Sequence, residues 1–358
     1  MPQCKGLTNQ LFIDVNGFYT PCCFMSSKNT KDLVVSSTPE DWLNSNTMLE
    51  IISTMNSGDW ANQCNLCKRE ETEGRNSYRL LYNSEFLKPA GTLESFLINV
   101  PNICNLTCRM CSPSYSDKWG KLRKVIPIAS NLSTRKKYEK IKHLIGPDFK
   151  FLEIAGGEPL LDHELFEVIE LILEKCPDLS LQFTTNLTFF PNKYKHILDR
   201  VKTIRPIYSI DGVGSLNDYI REGFEWRRVT EVLDQWLGYM SSRPQPSNQQ
   251  YFQTTVQAYN FHDLHNIKKF IDSKMNINSV NIEWIDFPLG YPKEFVLNAL
   301  PPEYIEKHTN EVNKKFLVNY NFNEDLFSKL KTRTIDDDKL LGKKIQNYIP
   351  ELYELFNR

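Results

Sequence analysis

The sequence predicts an α/β fold built of strand–helix repeats, and three observations carry that prediction. Between residue 91 and about residue 295, strand-like runs alternate with helical stretches, the signature of βαβ units and a parallel sheet. Several of these strands end in an unusual residue cluster, as expected where functional loops gather at the C-terminal ends of barrel strands. Eight of the nine cysteines lie in the first 111 residues, ahead of or at the first repeat. The expected domains are therefore a small module at 1–90, the repeat region at 91–295 and a polar, helical C-terminal extension at 296–358.

Residues 1–90 hold little core of their own. Leu11–Val15 reads as a strand, Asn16-Gly17 as a hairpin turn, and Phe18–Thr20 as the returning strand. Thr38-Pro39-Glu-Asp is a helix start, with Thr38 as N-cap and Pro39 at the first helical position. Trp42, Leu43, Leu49, Ile51, Ile52 and Met55 then form one apolar stripe that ends near Asn56–Gly58. Cys64-Asn-Leu-Cys67 is a tight CxxC loop, followed by a charged helix from Lys68 to about Phe86.

In the repeat region the expected strands are 96–100, 151–154, 181–184, 207–210, 253–257 and 279–282. The expected helices are 116–124, 134–144, 164–174, 194–201, 227–241 and 264–275. Ser241–Asn248 is a turn-rich loop within the series. After about residue 296, Pro301-Pro302 opens a helical stretch, and Thr334–Asp338 reads as a break. Cys176, ahead of Pro177 at the end of an apolar helix, reads as packing.

Composition sets the outer bounds. A formal charge of −1 and a pI near 6.6 give no bulk electrostatic reason to bind nucleic acid or anionic membrane. No run approaches the ~18–20 apolar residues of a membrane span, and Met1–Lys5 lacks the apolar core of a secretory signal. A cytoplasmic protein is expected. In that reducing compartment, closely spaced cysteines point to metal or catalysis rather than to disulfides.

The chemistry centres on Cys104-Asn-Leu-Thr-Cys108-Arg-Met-Cys111, directly after the first repeat strand. Structural zinc takes four protein ligands. Three thiolates with no evident fourth suit a [4Fe–4S] cluster whose last iron stays open to an outside ligand. Ala155-Gly156-Gly157-Glu158-Pro159 follows the second strand, where two glycines expose backbone to a close ligand; an ordinary tight turn explains it equally well. Ser209 and Arg221 flank the loop after the fourth strand, a hydroxyl and a fork suited to a carboxylate; taken by themselves, a capping serine and a surface arginine explain them better. Cys4, Cys22, Cys64 and Cys67 form a second set of four thiolates, able to hold zinc or a fully ligated [4Fe–4S] cluster, with Cys23 as a substitute for Cys22.

Taken together, Cys104/Cys108/Cys111 and Gly156-Gly157-Glu158-Pro159 resemble the C-x3-C-x-φ-C and GGEP-type motifs of the radical S-adenosylmethionine (SAM) enzymes. The likeness covers 95 to about 290, with Met110 in place of the usual aromatic. It implies a partial (β/α)6, TIM-like barrel and a [4Fe–4S] cluster whose open iron binds SAM. Cys4-x12-Gly17-x4-Cys22 with Cys64-x2-Cys67 resembles the twitch and SPASM modules that hold auxiliary [4Fe–4S] clusters, here placed before the barrel instead of after it.

The resemblance further implies that the Gly156–Pro159 backbone holds the SAM amino group and that Ser209 and Arg221 hold its carboxylate. Met110 would contact the adenine through its backbone, and Thr184, Thr185 and Asn186 would line the ribose. Reductive cleavage of SAM would give a 5′-deoxyadenosyl radical that abstracts a substrate hydrogen, while the auxiliary cluster would pass electrons or position substrate. The implied partners are a peptide or small-molecule substrate and a reductant such as flavodoxin or ferredoxin. Asp211, Glu283 and Asp286 are candidate bases, each more readily explained as a structural or solvated carboxylate. The competing class is a non-catalytic iron–sulfur or zinc protein that transfers electrons or binds RNA.

Overall fold

The computed structural model describes residues 2–23, 25, 38–74, 76–125, 132–243, 249–275, 282–288 and 292–358. Its strands, in chain order, are β1 (Gln10–Ile13), β2 (Tyr19–Thr20), β3 (Ser95–Asn99), β4 (Thr107–Cys108), β5 (Phe151–Ala155), β6 (Ser180–Thr185), β7 (Thr203–Ser209), β8 (Arg221–Glu222), β9 (Gln250–Val256) and β10 (Ile282–Pro288). The chain divides into two compact units. One comprises Met1–Asn102, Ile128–Phe183 and Asn192–Ile204; the other comprises Ile103–Pro127, Thr184–Pro191 and Arg205–Arg358. The fold class is α/β.

In the first unit, β3 pairs in parallel with β5, and β5 with β6. β3 is buried along its whole length, as a strand covered on both faces must be. β5 and β6 alternate instead: Leu152, Ile154, Leu181 and Phe183 are buried, while Phe151, Glu153, Gln182 and Thr184 on the other face are only half-buried. Helix His163–Lys175 packs Leu165, Phe166, Val168, Ile169, Ile172 and Leu173 into the core, and Asp162 caps it by accepting from the Glu164 amide. Each such side chain contributes about 1.5–3 kcal/mol.

The N-terminal hairpin forms as expected, with Phe12 opposite Thr20 and Gly17 at φ +85 in the turn. It also does something the sequence did not announce. β1 pairs in parallel with β3, Gln10 beside Ser95 through Ile13 beside Ile98, so the hairpin extends the main sheet of this unit.

The second unit pairs β7 with β9 and β9 with β10 in parallel, and β4 with β8 antiparallel. Helix Trp226–Ser241 buries Val229, Val232, Leu233, Trp236, Leu237, Tyr239 and Met240. The expected strand at 279–282 is described only at Ile282, where β10 begins; 279–281 lie outside the described residues, as do 244–248 of the turn-rich loop.

Two expected helices and one expected break need correction. The Trp42–Met55 stripe is split between Pro39–Leu43 and Asn46–Asn56, because Ser45 leaves helical geometry and caps the second helix through the Met48 amide. The Lys68–Phe86 helix is likewise two, Asn65–Thr72 and Tyr78–Glu85, separated where Gly74 takes φ +72. Thr334–Asp338 is no break at all but the middle of helix Glu324–Leu341. There the Thr334 hydroxyl donates to the Leu330 carbonyl, Asp337 pairs with Arg123 and Arg333, and Asp338 pairs with Arg109. Neutralised acids do not repel one another, so the helix runs on until Gly342 at φ +66.

Candidate active site

The three-cysteine loop belongs to the second unit and is held by its neighbours on several sides. Helix Asp117–Arg123 starts just after it, and its first turn addresses the loop backbone. The Asp117 carboxylate accepts from the Cys104 amide at 3.2 Å, the Ser116 hydroxyl donates to the Leu106 carbonyl at 2.7 Å, and the Trp119 indole N–H donates to the Cys108 carbonyl at 2.8 Å. The Cys111 amide closes a turn on the Cys108 carbonyl at 2.9 Å. Cys108 is buried, while Cys104, Met110 and Cys111 are half-buried.

Arg221 stands directly opposite Cys108 in the β4–β8 ladder. Its Nη1 donates to Asp211 at 2.7 Å, and the other Asp211 oxygen accepts from the Thr255 amide at 2.8 Å. Asp211 is thus a structural carboxylate and not a free base. Burial alone would lower the Arg221 pKa, but the Cys108 thiolate form and Asp211 raise it. Its buried Nε has no partner among the described residues, which leaves one directed donor for an incoming anion. Ser209, buried, ends β7 beside Gln253.

Asn186 lies with its Nδ2 3.8 Å from Cys104 Sγ and 3.1 Å from Asn105 Oδ1, and its Oδ1 accepts from the Thr188 hydroxyl at 2.6 Å. Between them Leu187 is held at φ +61, an uncommon conformation for a non-glycine residue. Asn105 and Thr188 escaped the sequence reading because a lone Asn or Thr in a loop carries no periodic signal. Glu283 is exposed and accepts from Gln249 at 2.8 Å, which suits a solvated role, and the Asp286 side chain lies outside the described residues.

Burial pushes the Cys108 thiol up to about 12 and Cys111 up to about 11. Unliganded, these thiols are protonated at neutral pH, so holding a metal must displace protons. Three thiols on one short loop, with an unpartnered guanidinium donor beside the middle one, fit a cluster that carries an anionic ligand on its free iron.

The Gly156–Pro159 loop lies in the first unit. Gly156 adopts φ +118, and a Cβ there would fall 2.6 Å from the Val100 carbonyl oxygen and 2.9 Å from its nitrogen. Glycine is required by that close approach alone. Glu158 is buried and accepts from the Leu160 amide at 3.2 Å, capping the short turn Pro159–Leu161. Gly157 is half-buried and Pro159 is buried.

The second cysteine set is also in the first unit. Cys4, Cys22, Cys64 and Cys67 line one hollow of about 440 Å³, its open mouth included, together with Met55, Trp60, Tyr78, Arg79 and Tyr82. Cys23 is exposed and does not line it. Arg79 builds the wall, its Nε and Nη2 gripping both Glu71 oxygens at 2.8 and 2.5 Å and its Nη1 donating to the Gln3 carbonyl at 2.9 Å. This fork ties Cys67's helix to the backbone beside Cys4. Burial drives Cys4 up to about 11 and Cys64 up to about 12, the latter also through repulsion from Cys22 and Cys4. Among the described residues, no three His, Cys, Asp or Glu side chains converge closely enough to share a single ion. The four thiols border one hollow, a donor set that suits zinc or an iron–sulfur cluster.

Residues 98–239 match the profile of the Radical SAM superfamily. That stretch is similar to radical SAM domains. It covers the three-cysteine loop, Gly156–Pro159, Asn186, Ser209 and Arg221. The chain is 32% identical over 89 residues to GTP 3′,8-cyclase of Sulfurimonas denitrificans (25% of this chain, 26% of that protein) and 29% identical over 105 residues to that of Campylobacter lari (29% and 31%). It thus spans about a quarter to a third of those relatives. Among solved structures, anSMEcpe with bound AdoMet aligns at TM-score 0.42 and 17% identity, covering 70% of this chain and 62% of that one. Streptococcus suis SuiB bound to S-adenosylmethionine aligns at 0.37 and 14%, covering 68% and 58%. Among the described residues no helix is long and apolar enough to cross a membrane.

Proposed function

We propose that the protein is a cytoplasmic radical SAM enzyme with one auxiliary iron–sulfur site. The observation that carries this reading is the pairing of the three-cysteine loop with Arg221, which stands opposite Cys108 and whose buried Nε has no partner among the described residues, within the stretch that matches the Radical SAM superfamily. In this reading Cys104, Cys108 and Cys111 hold a [4Fe–4S] cluster that, when bound, supplies an electron to SAM and so generates the hydrogen-abstracting radical. The chain's own residues bind and orient. Arg221 and Ser209 hold the SAM carboxylate, Asp211 fixes the Arg221 head, and the Gly156-Gly157-Glu158-Pro159 backbone holds the amino group. Met110 meets the adenine and Asn186 the ribose.

The hollow of Cys4, Cys22, Cys64 and Cys67 holds the auxiliary [4Fe–4S] cluster, within a twitch-like module at 1–90. The barrel spans 91–295 and the helical extension 296–358. A flavodoxin- or ferredoxin-type donor supplies the electron. The substrate class implied by the auxiliary cysteine pattern is a peptide or protein side chain. A small metabolite is the second reading, favoured by the sequence likeness to the GTP 3′,8-cyclases.

The test is anaerobic reconstitution, reduction in the presence of SAM, and quantitation of 5′-deoxyadenosine. Release of 5′-deoxyadenosine by the wild type, and its loss in Cys108→Ala, is expected. A fully loaded protein that releases none would overturn the enzymatic reading and return the chain to the electron-transfer class.

A further inference from the structure

We propose that Arg109 fastens the three-cysteine loop to helix Glu324–Leu341, so that Asp338 and Tyr219 are positioning residues for the group held by those cysteines; this rests on the cluster reading above. Arg109 stands between Cys108 and Met110, and its side chain is completely buried. Its Nε donates to the Tyr219 carbonyl at 2.8 Å and its Nη2 to Asp338 Oδ1 at 2.6 Å, while its guanidinium lies 3.6 Å above the Tyr219 ring. Its own amide donates to the Ile220 carbonyl at 2.9 Å. One residue therefore grips the 219–220 backbone, immediately before Arg221, with both its main chain and its side chain.

Asp338 is engaged from every side. Oδ1 also accepts from the Tyr219 hydroxyl at 3.0 Å, and Oδ2 accepts from the Ile345 amide at 2.6 Å. Tyr348 stacks on Tyr219 at 4.6 Å between ring centroids, and Lys343 pairs with Glu222, the residue opposite Thr107. The 324–348 stretch thus meets the β4–β8 ladder at Glu222 and its flanking residues at Arg109 and Tyr219.

Cys104 is anchored independently, through Asp117 and Asn186. Helix Asp117–Arg123 also holds the Cys108 carbonyl through Trp119, so the Arg109 fork is the tie that adds the 219–220 backbone, and with it Arg221, to the placing of Cys108 and Cys111. A buried ion pair is a poor source of stability, since apolar residues of like volume commonly do as well. Its value here is directional, because a fork fixes the loop in azimuth as well as depth.

The experiment compares wild type, Asp338→Asn, Arg109→Lys and the double variant Arg109→Met/Asp338→Leu after anaerobic reconstitution. Thermal unfolding, iron loss to a ferrous chelator and the EPR spectrum of the reduced protein with and without SAM are recorded. The double variant is included because it leaves no unpaired buried charge, whereas Asp338→Asn leaves Arg109 without its carboxylate. Thermal unfolding reads which variants have folded, and Arg109→Lys keeps the Asp338 contacts to Tyr219 and Ile345. In the double variant, iron held at the three-cysteine loop should leave about 10–100-fold faster, as for lost partners of metal ligands, and the EPR change on adding SAM should shrink. Arg109→Lys should fall between, keeping the charge without the fork. A well-folded double variant with wild-type iron retention and a wild-type SAM response would overturn the inference. Wild-type protein that loads no cluster on Cys104, Cys108 and Cys111 would overturn the cluster reading and this inference together.

Discussion

Arg221 is a half-buried cation with one edge committed to Asp211 and its buried Nε free of partners among the described residues. Changing it to Ala should weaken SAM binding about 10–100-fold, the cost of a lost charge-assisted hydrogen bond, read from the SAM dependence of 5′-deoxyadenosine release. Lys should recover little, because an ammonium cannot reproduce the fork. A second single residue governs acid stability. His262, bonded to the Tyr304 hydroxyl at 3.1 Å, is held down to about 4 by burial and by neighbouring His308. The unfolded chain takes up this proton near pH 6.5 while the folded chain still refuses it. Stability must therefore fall as pH drops from about 6.5 to about 4, by about 3 kcal/mol at most for this group. His262→Gln should flatten that limb in urea titrations. At this scale the cysteines were legible because their spacing is local. Arg109 was not, because its partner Asp338 lies 229 positions away.

At the scale of elements, Gly156 and Ser116 carry the sharpest expectations. Gly156→Ala would press a methyl group against the Val100 backbone at a φ that suits only glycine. It should cost roughly 2–4 kcal/mol in denaturant unfolding, combining backbone strain with overpacking. Ser116→Ala removes both the cap on helix Asp117–Arg123 and the bond to the Leu106 carbonyl. The expected loss is about 1–3 kcal/mol, seen as a lower midpoint with an unchanged slope. Helices with apolar periodicity, such as Leu264–Met275, appear where the sequence placed them. Thr334–Asp338 misled because its run of acids is visible in sequence, whereas Arg109 and Arg123, arriving from elsewhere, are not.

For the whole molecule, the two cysteine sets predict about eight irons per chain. Cys64→Ala with Cys67→Ala should remove about half of the iron and sulfide and leave the SAM-responsive EPR signal. Retention of all the iron, or zinc in its place, would count against an auxiliary cluster. The α/β class and the strand–helix alternation were readable from period alone. That β1 joins β3 was not, since a short strand reveals its hydrogen-bonding direction only when its partner is placed beside it.

The span of the Arg109–Asp338 pair bears on the order in which the protein is finished as it is made. A growing chain emerges from its N-terminus. All four thiols of the hollow, and the Arg79–Glu71 fork that shapes it, belong to the first 79 residues. Cys104, Cys108 and Cys111 emerge soon after, yet the carboxylate that fastens their loop arrives 229 residues behind Arg109. Residues 116–119, which hold the loop backbone, follow it at once, but the tie from Arg109 to Asp338 can close only after residue 338 has been made.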